Sequence, residues 1–399
     1  MRHFRKVVIV TQHYPPDQST TAVIMQAIAS HLAHQAPVLV LSGSSGSTAS
    51  GSSVRPTVVE VKNRISAKAA LIRRGGAEVL FTLRIFLSLL AKLQRGDVVL
   101  IVTAPFMLPY AAAAAACLKR AGSVLIMHDL YPEVLVMSGL LKPQSVAAKT
   151  MRWMNALMFR ALSGVVVIGR DTEKLLLQYG EMMRAKVHFI PNWATLPAAV
   201  RPIAADNPYR KLATARFLVG LSGNLGFTHD PVIVFEAARL LRDNPDIHFL
   251  LSGWGIGFDY LKKMQSETRL PNVAFVDRVP DQDLETFLSA ANVWVIPYRQ
   301  FLAGVSVPSR FYNLLAIGRP VVLVSEPQAE AAQIVREHDV GWVVTPGRAD
   351  ELAKAISIAA SSPDDARADR AADIAQRFNL ADAMESYAQL VIGLLRGNS

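Results

Sequence analysis

Short runs of Val, Ile and Leu recur along this chain, separated by longer stretches whose apolar residues fall at helical spacing. One series comprises Lys6–Thr11, Val38–Leu41, Val58–Val61, Val98–Val102, Val124–Met127, Val165–Ile168 and Val187–Ile190. A second comprises Phe217–Leu221, His248–Leu251, Val273–Val276, Val293–Ile296, Val321–Val324 and Trp342–Val344. Runs that are apolar throughout, rather than alternating, predict strands covered on both faces, and the intervening helices predict parallel pairing. The pattern therefore predicts an α/β chain with two doubly wound domains.

Between the two series, from Trp193 to Thr214, the periodicity is lost and Pro197, Pro202 and Pro208 accumulate, as in a linker. We divide the chain into a first domain at 1–197, a second at 198–378 and a terminal segment at 379–399. In that last segment Asn379–Leu395 has the spacing of a helix placed to cross back to the first domain. Gly43–Ser53 reads as a mobile Gly/Ser-rich loop. Two facing domains of this kind leave a cleft at the carboxyl ends of their strands, where open parallel sheets bind ligands.

Composition narrows the class. With 51% hydrophobic and 19% charged residues over 399 positions, the chain is neither disordered, collagen-like nor a small disulfide scaffold. Cys117 is the single cysteine, so no internal disulfide forms and a reducing, cytoplasmic compartment fits. The longest apolar stretch, Phe106–Leu118, falls short of the roughly 18 to 20 residues of a membrane span. The charged start, Met1–Lys6, is followed only by Val7–Val10 before polar residues, which is too short for a secretory signal.

Charge changes the picture further. Up to Pro197 there are 22 Lys and Arg against 9 Asp and Glu, a net of +13, while the remainder carries 20 against 23, a net of −3. Within the first half, Lys62, Arg64, Lys68, Arg73, Arg74, Arg84, Lys92 and Arg95 are accompanied only by Glu78. This is a candidate contact for an anionic surface. Nucleic acid is the poorer partner, because no stacking motif or known nucleic-acid module accompanies the charge.

Three segments carry candidate chemistry. In the second series a strand ending at Leu221 runs into Ser222-Gly223-Asn224-Leu225-Gly226-Phe227-Thr228-His229-Asp230 before a helix. Glycines there let backbone N–H groups and a helix N-terminus meet a phosphate, although a tight turn with Asp230 as cap gives the same pattern. Ser252-Gly253-Trp254-Gly255-Ile256-Gly257 also joins a strand to a helix but lacks the spacing of a dinucleotide fingerprint. The first loop, His13 to Thr21, contains no glycine, which disfavours NAD. In the third segment, Gly304 to Val321, Pro308 reads as the first helical residue, Arg310 as a first-turn cation and Gly318 as the stop. A cation at a helix N-terminus opposes the dipole, and a bound diphosphate would explain it.

Gly223-Asn224-Leu225-Gly226, Val307-Pro308-Ser309-Arg310-Phe311-Tyr312 and Ala316-Ile317-Gly318-Arg319-Pro320-Val321 together resemble family 4 retaining glycosyltransferases. The likeness extends to His13-Tyr14-Pro15-Pro16 and His128-Asp129-Leu130-Tyr131-Pro132-Glu133, and is closest to the branch that builds bacterial exopolysaccharide, capsule and O-antigen units. It implies the GT-B fold, with two Rossmann-like domains facing across a cleft. It also implies a nucleotide-sugar donor on the second domain and a glycan acceptor, typically linked to polyprenyl diphosphate, on the first. No cofactor or metal is implied, and Asp281-Gln282-Asp283 reads as a helix start.

The resemblance also assigns roles. His128 and Asp129 are the candidate catalytic residues. Gly223, Asn224, Gly226, His229, Gly253, Gly255, Val307, Pro308, Ser309, Arg310 and Asn313 are candidates for the donor, and His13, Tyr14, Thr20 and Glu133 for the acceptor. Asp129 and Glu133 either hold acceptor hydroxyls, orient His128 or cap the local turn. Two Glu positions usual in the family hold Val305 and Asn313 here, and the usual cation near the glycine turn is Phe227. Asn313 can still bond ribose hydroxyls, and Arg310 and His229 are candidates to supply the missing cation. The alternatives are a sugar-nucleotide epimerase of the same fold and a degenerate subunit that binds an active transferase.

Overall fold

In the computed structural model, residues 5–17, 19–46, 55–62, 71–213, 215–361 and 365–397 are described. Arg64, Lys68, most of the Gly43–Ser53 loop and the side chains of Arg73 and Arg74 lie outside them.

The first domain runs β1 (Val7–Thr11), α1 (Thr20–Ala33), β2 (Val38–Ser42), β3 (Thr57–Glu60), α2 (Leu71–Lys92), β4 (Val98–Val102), α3 (Leu108–Lys119), β5 (Gly122–Met127), α4 (Glu133–Met137), α5 (Val146–Ala161), β6 (Gly164–Val167), α6 (Thr172–Leu176) and β7 (Val187–Phe189). The second runs β8 (Phe217–Asn224), α7 (Pro231–Leu240), β9 (Ile247–Trp254), α8 (Ile256–Thr268), β10 (Val273–Val276), α9 (Leu284–Ala290), β11 (Val293–Pro297), α10 (Ser309–Ala316), β12 (Val321–Val324), α11 (Glu330–Glu337), β13 (Gly341–Val344), α12 (Ala349–Ser361) and α13 (Asp365–Ala375). A last helix, α14 (Leu380–Gly397), follows.

The sheets are 7-stranded, ordered β3-β2-β1-β4-β5-β6-β7, and 6-stranded, ordered β10-β9-β8-β11-β12-β13. Every strand pairing is parallel. Both orders reverse beside their first strand, and those two reversals open toward the cleft.

Alternate residues of each strand enter opposite cores, which is why the runs are apolar throughout. Val7, Ile9, Val98 and Leu100 pack with Met25 and Ile28 of α1 on one face, while Val8, Val10, Val99 and Ile101 pack with Phe81, Ile85 and Phe159 on the other. α14 completes the first domain rather than the second: Tyr387, Ala388, Val391 and Ile392 join the core beneath α1, and Arg5 Nη1 donates to the Leu395 carbonyl at 2.9 Å. Each such large apolar side chain, fully buried, contributes about 1.5–3 kcal/mol.

Two acceptor assignments change here. Tyr14 is 4% exposed and belongs to this same core, so its ring packs against the fold instead of facing the cleft, and burial pushes its phenol up to about 12. Glu133 is buried at the start of α4, where its Oε1 accepts from Arg152 Nε of α5 at 2.9 Å. Asp281–Asp283 does open a helical turn before α9, but Asp283 makes no capping bond.

Candidate active site

The site begins where β8 and β11 part. β8 pairs with β9 out to Gly223 with Gly253 and Asn224 with Trp254, which brings both glycine clusters side by side at the carboxyl ends of the strands. Gly223 has φ +122°, and a Cβ there would overlap the Arg310 guanidinium. A Cβ on Gly253 would overlap the Gly223 carbonyl. These two glycines let a second strand and an arginine close on the same point.

Around it lies a cavity of about 280 Å³ lined by Ser222, Gly223, Asn224, Thr228, His229, Trp254, Tyr298, Ser306, Val307, Pro308, Ser309 and Arg310, with Thr20 reaching in from the first domain. Pro308 is the N-cap of α10 rather than its first residue, and no side chain caps the helix. The free amides of its first turn therefore open beside the guanidinium.

Arg310 dominates the electrostatics. Its Nη1 is buried with no hydrogen-bond partner, and the guanidinium lies 5.9 Å from the centroid of the Trp254 ring. Burial pulls its pKa down to about 10, which leaves it a cation near neutrality. A desolvated cation with no hydrogen-bonded carboxylate, on which Asp281 acts only through space, is beside free helix amides a site for an anion.

His229 has a different part from the one expected. Burial, helped by the charges of Arg310 and Arg299, pulls its pKa down to about 4, so it is neutral at pH 7 and cannot replace a missing cation. Its Nδ1 lies 3.1 Å from Thr228 Oγ1, and it remains a hydrogen-bonding group on the cavity wall. Asn313 does not line the cavity. Its Oδ1 accepts from the backbone N–H groups of Thr195 at 2.7 Å and Leu196 at 3.2 Å, so the side chain expected at a ribose anchors the interdomain linker. Gly226, Gly253 and Gly255 also stand outside the lining; Gly253 closes on the Gly223 carbonyl, and Gly255, at φ +95°, is the N-cap of α8.

The first domain faces this cavity with the loops after β1, β5 and β6. His13 Nδ1 and Asp17 Oδ2 are paired at 2.5 Å ahead of α1, whose N-cap is Ser19. After β5, His128 keeps an enclosed, unpartnered Nε2, and burial draws its pKa down to about 4. Burial pushes Asp129 up to about 6, and its charge is felt by Tyr298 across the cleft. Neither residue lines the cavity itself. After β6, Asp171 Oδ2 accepts from Gly304 N at 2.6 Å and Glu330 N at 3.0 Å, while Arg170 pairs with Glu330 and Glu337 at 3.0 Å each. The loop that carries Ser306 and Val307 into the cavity is thus held by the opposite domain.

Trp254, Tyr298, Ser306 and Asp171 were not anticipated. Trp254 sits inside a glycine cluster that looked weak only because its spacing fails the dinucleotide pattern. Nothing local marks Asp171, whose partners are more than a hundred residues away.

Residues 6–193 match the model of the glycosyl transferase 4-like domain, and residues 208–377 match that of glycosyl transferases group 1. The chain is a family 4 glycosyltransferase of the GT-B fold. The transferase is 29% identical over 293 residues, 73% of each chain, to a protein of Pseudomonas aeruginosa described as "Probable glycosyltransferase WbjE". Its fold resembles that of Anabaena Alr3699/HepE solved with UDP, at a TM-score of 0.68 and 18% identity over 97% of this transferase and 100% of that chain. It also resembles WaaG, a glycosyltransferase involved in lipopolysaccharide biosynthesis, at a TM-score of 0.65 and 15% identity over 97% and 100%. Transferase models on both halves do not favour the epimerase.

Proposed function

We propose that this transferase moves a sugar, with retention, from a nucleotide-sugar donor on the second domain to a glycan acceptor on the first. The acceptor we propose is carried on a polyprenyl diphosphate at the inner face of the cytoplasmic membrane, in synthesis of exopolysaccharide, capsule or O-antigen. The observation that carries the reading is the buried, unpartnered Arg310 beside the open N-terminus of α10. It supplies charge where a diphosphate leaves, and supports departure without a resident metal. The UDP complex of HepE and the lipopolysaccharide role of WaaG support the same substrate classes. The net of +13 over residues 1–197 supports attraction to anionic lipid.

In this reading Trp254 offers an aromatic wall, and the neutral His229 and Ser306 offer hydrogen bonds to the donor. The leaving diphosphate itself takes the proton of the incoming hydroxyl on the same face of the sugar. In the same reading the neutral His128 bonds a sugar hydroxyl through Nε2 once the cleft closes on substrate, and Asp129 holds acceptor hydroxyls or orients His128.

A thermal-stability screen against UDP, GDP, dTDP and CMP sugars tests the donor, since a ligand that binds only the folded state raises its stability. One nucleotide should give a selective shift, and Arg310→Ala should weaken its affinity at least tenfold in calorimetry. A folded protein indifferent to all four would favour the degenerate-subunit reading instead.

A further inference from the structure

The first-domain sheet is covered on its outer side by α2, α3 and α5, with α2 packed on α3 and α3 on α5. Each outer helix is apolar on both of its sides. In α2, Phe81, Ile85 and Leu89 enter the core at intervals of one helical turn, while Val79, Leu80, Leu83 and Leu87 lie on the opposite side, 44–59% exposed. In α5, Ala148, Asn155 and Phe159 point inward, and Val146, Trp153 and Leu157 point outward at 81%, 63% and 46% exposure. Leu118 of α3, the helix packed between them, is exposed as well. An amphipathic surface helix puts polar residues on that side, and a contiguous exposed apolar face marks a contact.

We propose that this three-helix face inserts into an anionic lipid bilayer, with Leu83, Leu87, Leu118, Val146, Trp153 and Leu157 entering the boundary between headgroups and acyl chains. Charge selects the occupant. The three helices carry Arg73, Arg74, Arg84, Lys92, Lys119, Lys149, Arg152 and Arg160 against the single acid Glu78. Arg152 is turned to Glu133, and on the helical repeat Lys149 and Arg160 flank the Trp153 side of α5. A second copy of the same face would set like charges against like in a two-fold contact. A bilayer of anionic lipid meets both the cations and the apolar side chains. Among the described residues no helix is long and apolar enough to span a membrane, so the contact is an interfacial one.

In a parallel α/β layer the helix N-termini lie at the carboxyl ends of the strands. The starts of α2, α3 and α5 therefore lie toward the cleft. The purpose of the face rests on the lipid-linked acceptor proposed above; its physics does not.

The full chain should sediment with vesicles of phosphatidylglycerol and phosphatidylethanolamine, and a fraction should remain bound at high salt, where attraction between exposed charges is screened. Brominated acyl chains should quench its fluorescence, and Trp153→Phe should lose most of that quenching. The triple variant Leu83→Gln, Trp153→Gln, Leu157→Gln should lose salt-resistant binding at least tenfold and keep its melting temperature, these side chains being outside the core. Equal salt-resistant binding by the triple variant overturns the proposal, as does wild-type protein that ignores the vesicles. A wild-type dimer in solution that the triple variant dissolves overturns it in favour of self-association. Nucleotide-induced stabilisation, read in parallel, reports the donor reading separately: its absence beside intact vesicle binding sinks that reading and leaves the inserted face standing.

Discussion

Arg310 is a cation withdrawn from water with no carboxylate bonded to it, Asp281 offsetting only part of the cost through space, so the ligand-free protein carries much of its desolvation penalty until an anion arrives. Replacing it with an apolar side chain of similar length should therefore have opposite effects on stability and binding. Arg310→Met should melt higher than the parent without ligand and gain nothing from the nucleotide that stabilises the parent; a lower melting temperature would show that the guanidinium is structural. Arg310→Lys keeps the charge but loses the fork, and should bind nucleotide with intermediate affinity. Acid acts through the neighbouring groups. His128 and His229 are drawn from 6.5 down to about 4, so in that window the unfolded chain takes up protons that the folded one refuses, and stability falls as pH drops through it. At pH 5 this costs about 2 kcal/mol per imidazole. Asp129 works the other way. Raised from 3.8 to about 6, it takes up its proton earlier in the folded state and offsets roughly 1 kcal/mol at pH 5. Melting temperatures at pH 7 and pH 5 should show a net loss on acidification, and Asp129→Asn should make that loss steeper; an unchanged slope would remove Asp129 from the account.

Among the elements, those made by local pattern were legible and those made by distant partners were not. Every apolar run became a strand in one of the two sheets, because inner strands buried on both faces leave little place for a polar side chain, while the edge strands β3 and β7 stay partly exposed. Arg310 could be found because it breaks a local rule at a helix N-terminus. Tyr14 and Asn313 could not be placed, because a motif position does not say whether the side chain faces the cleft, the core or the linker. The loop between β11 and α10 shows the same limit. Its Val305 is 3% exposed, and the loop gets its anchor from Asp171 of the other domain. Asp171→Ala removes acceptors for the Gly304 and Glu330 amides at about 0.5–1.5 kcal/mol each. Nucleotide affinity should fall about fivefold or more, and hydrogen exchange should speed up at residues 302–307 before it does in β8. Faster exchange confined to the first domain would contradict this coupling.

At the scale of the whole molecule, the two domains meet in part through a polar contact centred on Glu330, which is 2% exposed at the N-terminus of α11, beside Ile168 buried in the core of the second domain. Arg170 is its cationic partner and reaches Glu337 as well, so the contact joins the loop after β6 to one helix of the second domain. Burial makes the two sides of this pair unequal under mutation. Removing Arg170 alone leaves a buried carboxylate without a counter-charge, whereas removing both charges leaves only a polar gap. Arg170→Ala should therefore shift the domains toward an open arrangement, seen as a larger radius of gyration by X-ray scattering and a higher KM for the donor. The double variant Arg170→Ala, Glu330→Gln should recover much of both, because residue 330 no longer carries a buried charge without its cation. Additive losses in the double variant would mean that Glu330 holds the domains by its own bonds, and that the closing force lies in Asp171 and the Gly304 loop rather than in the ion pair.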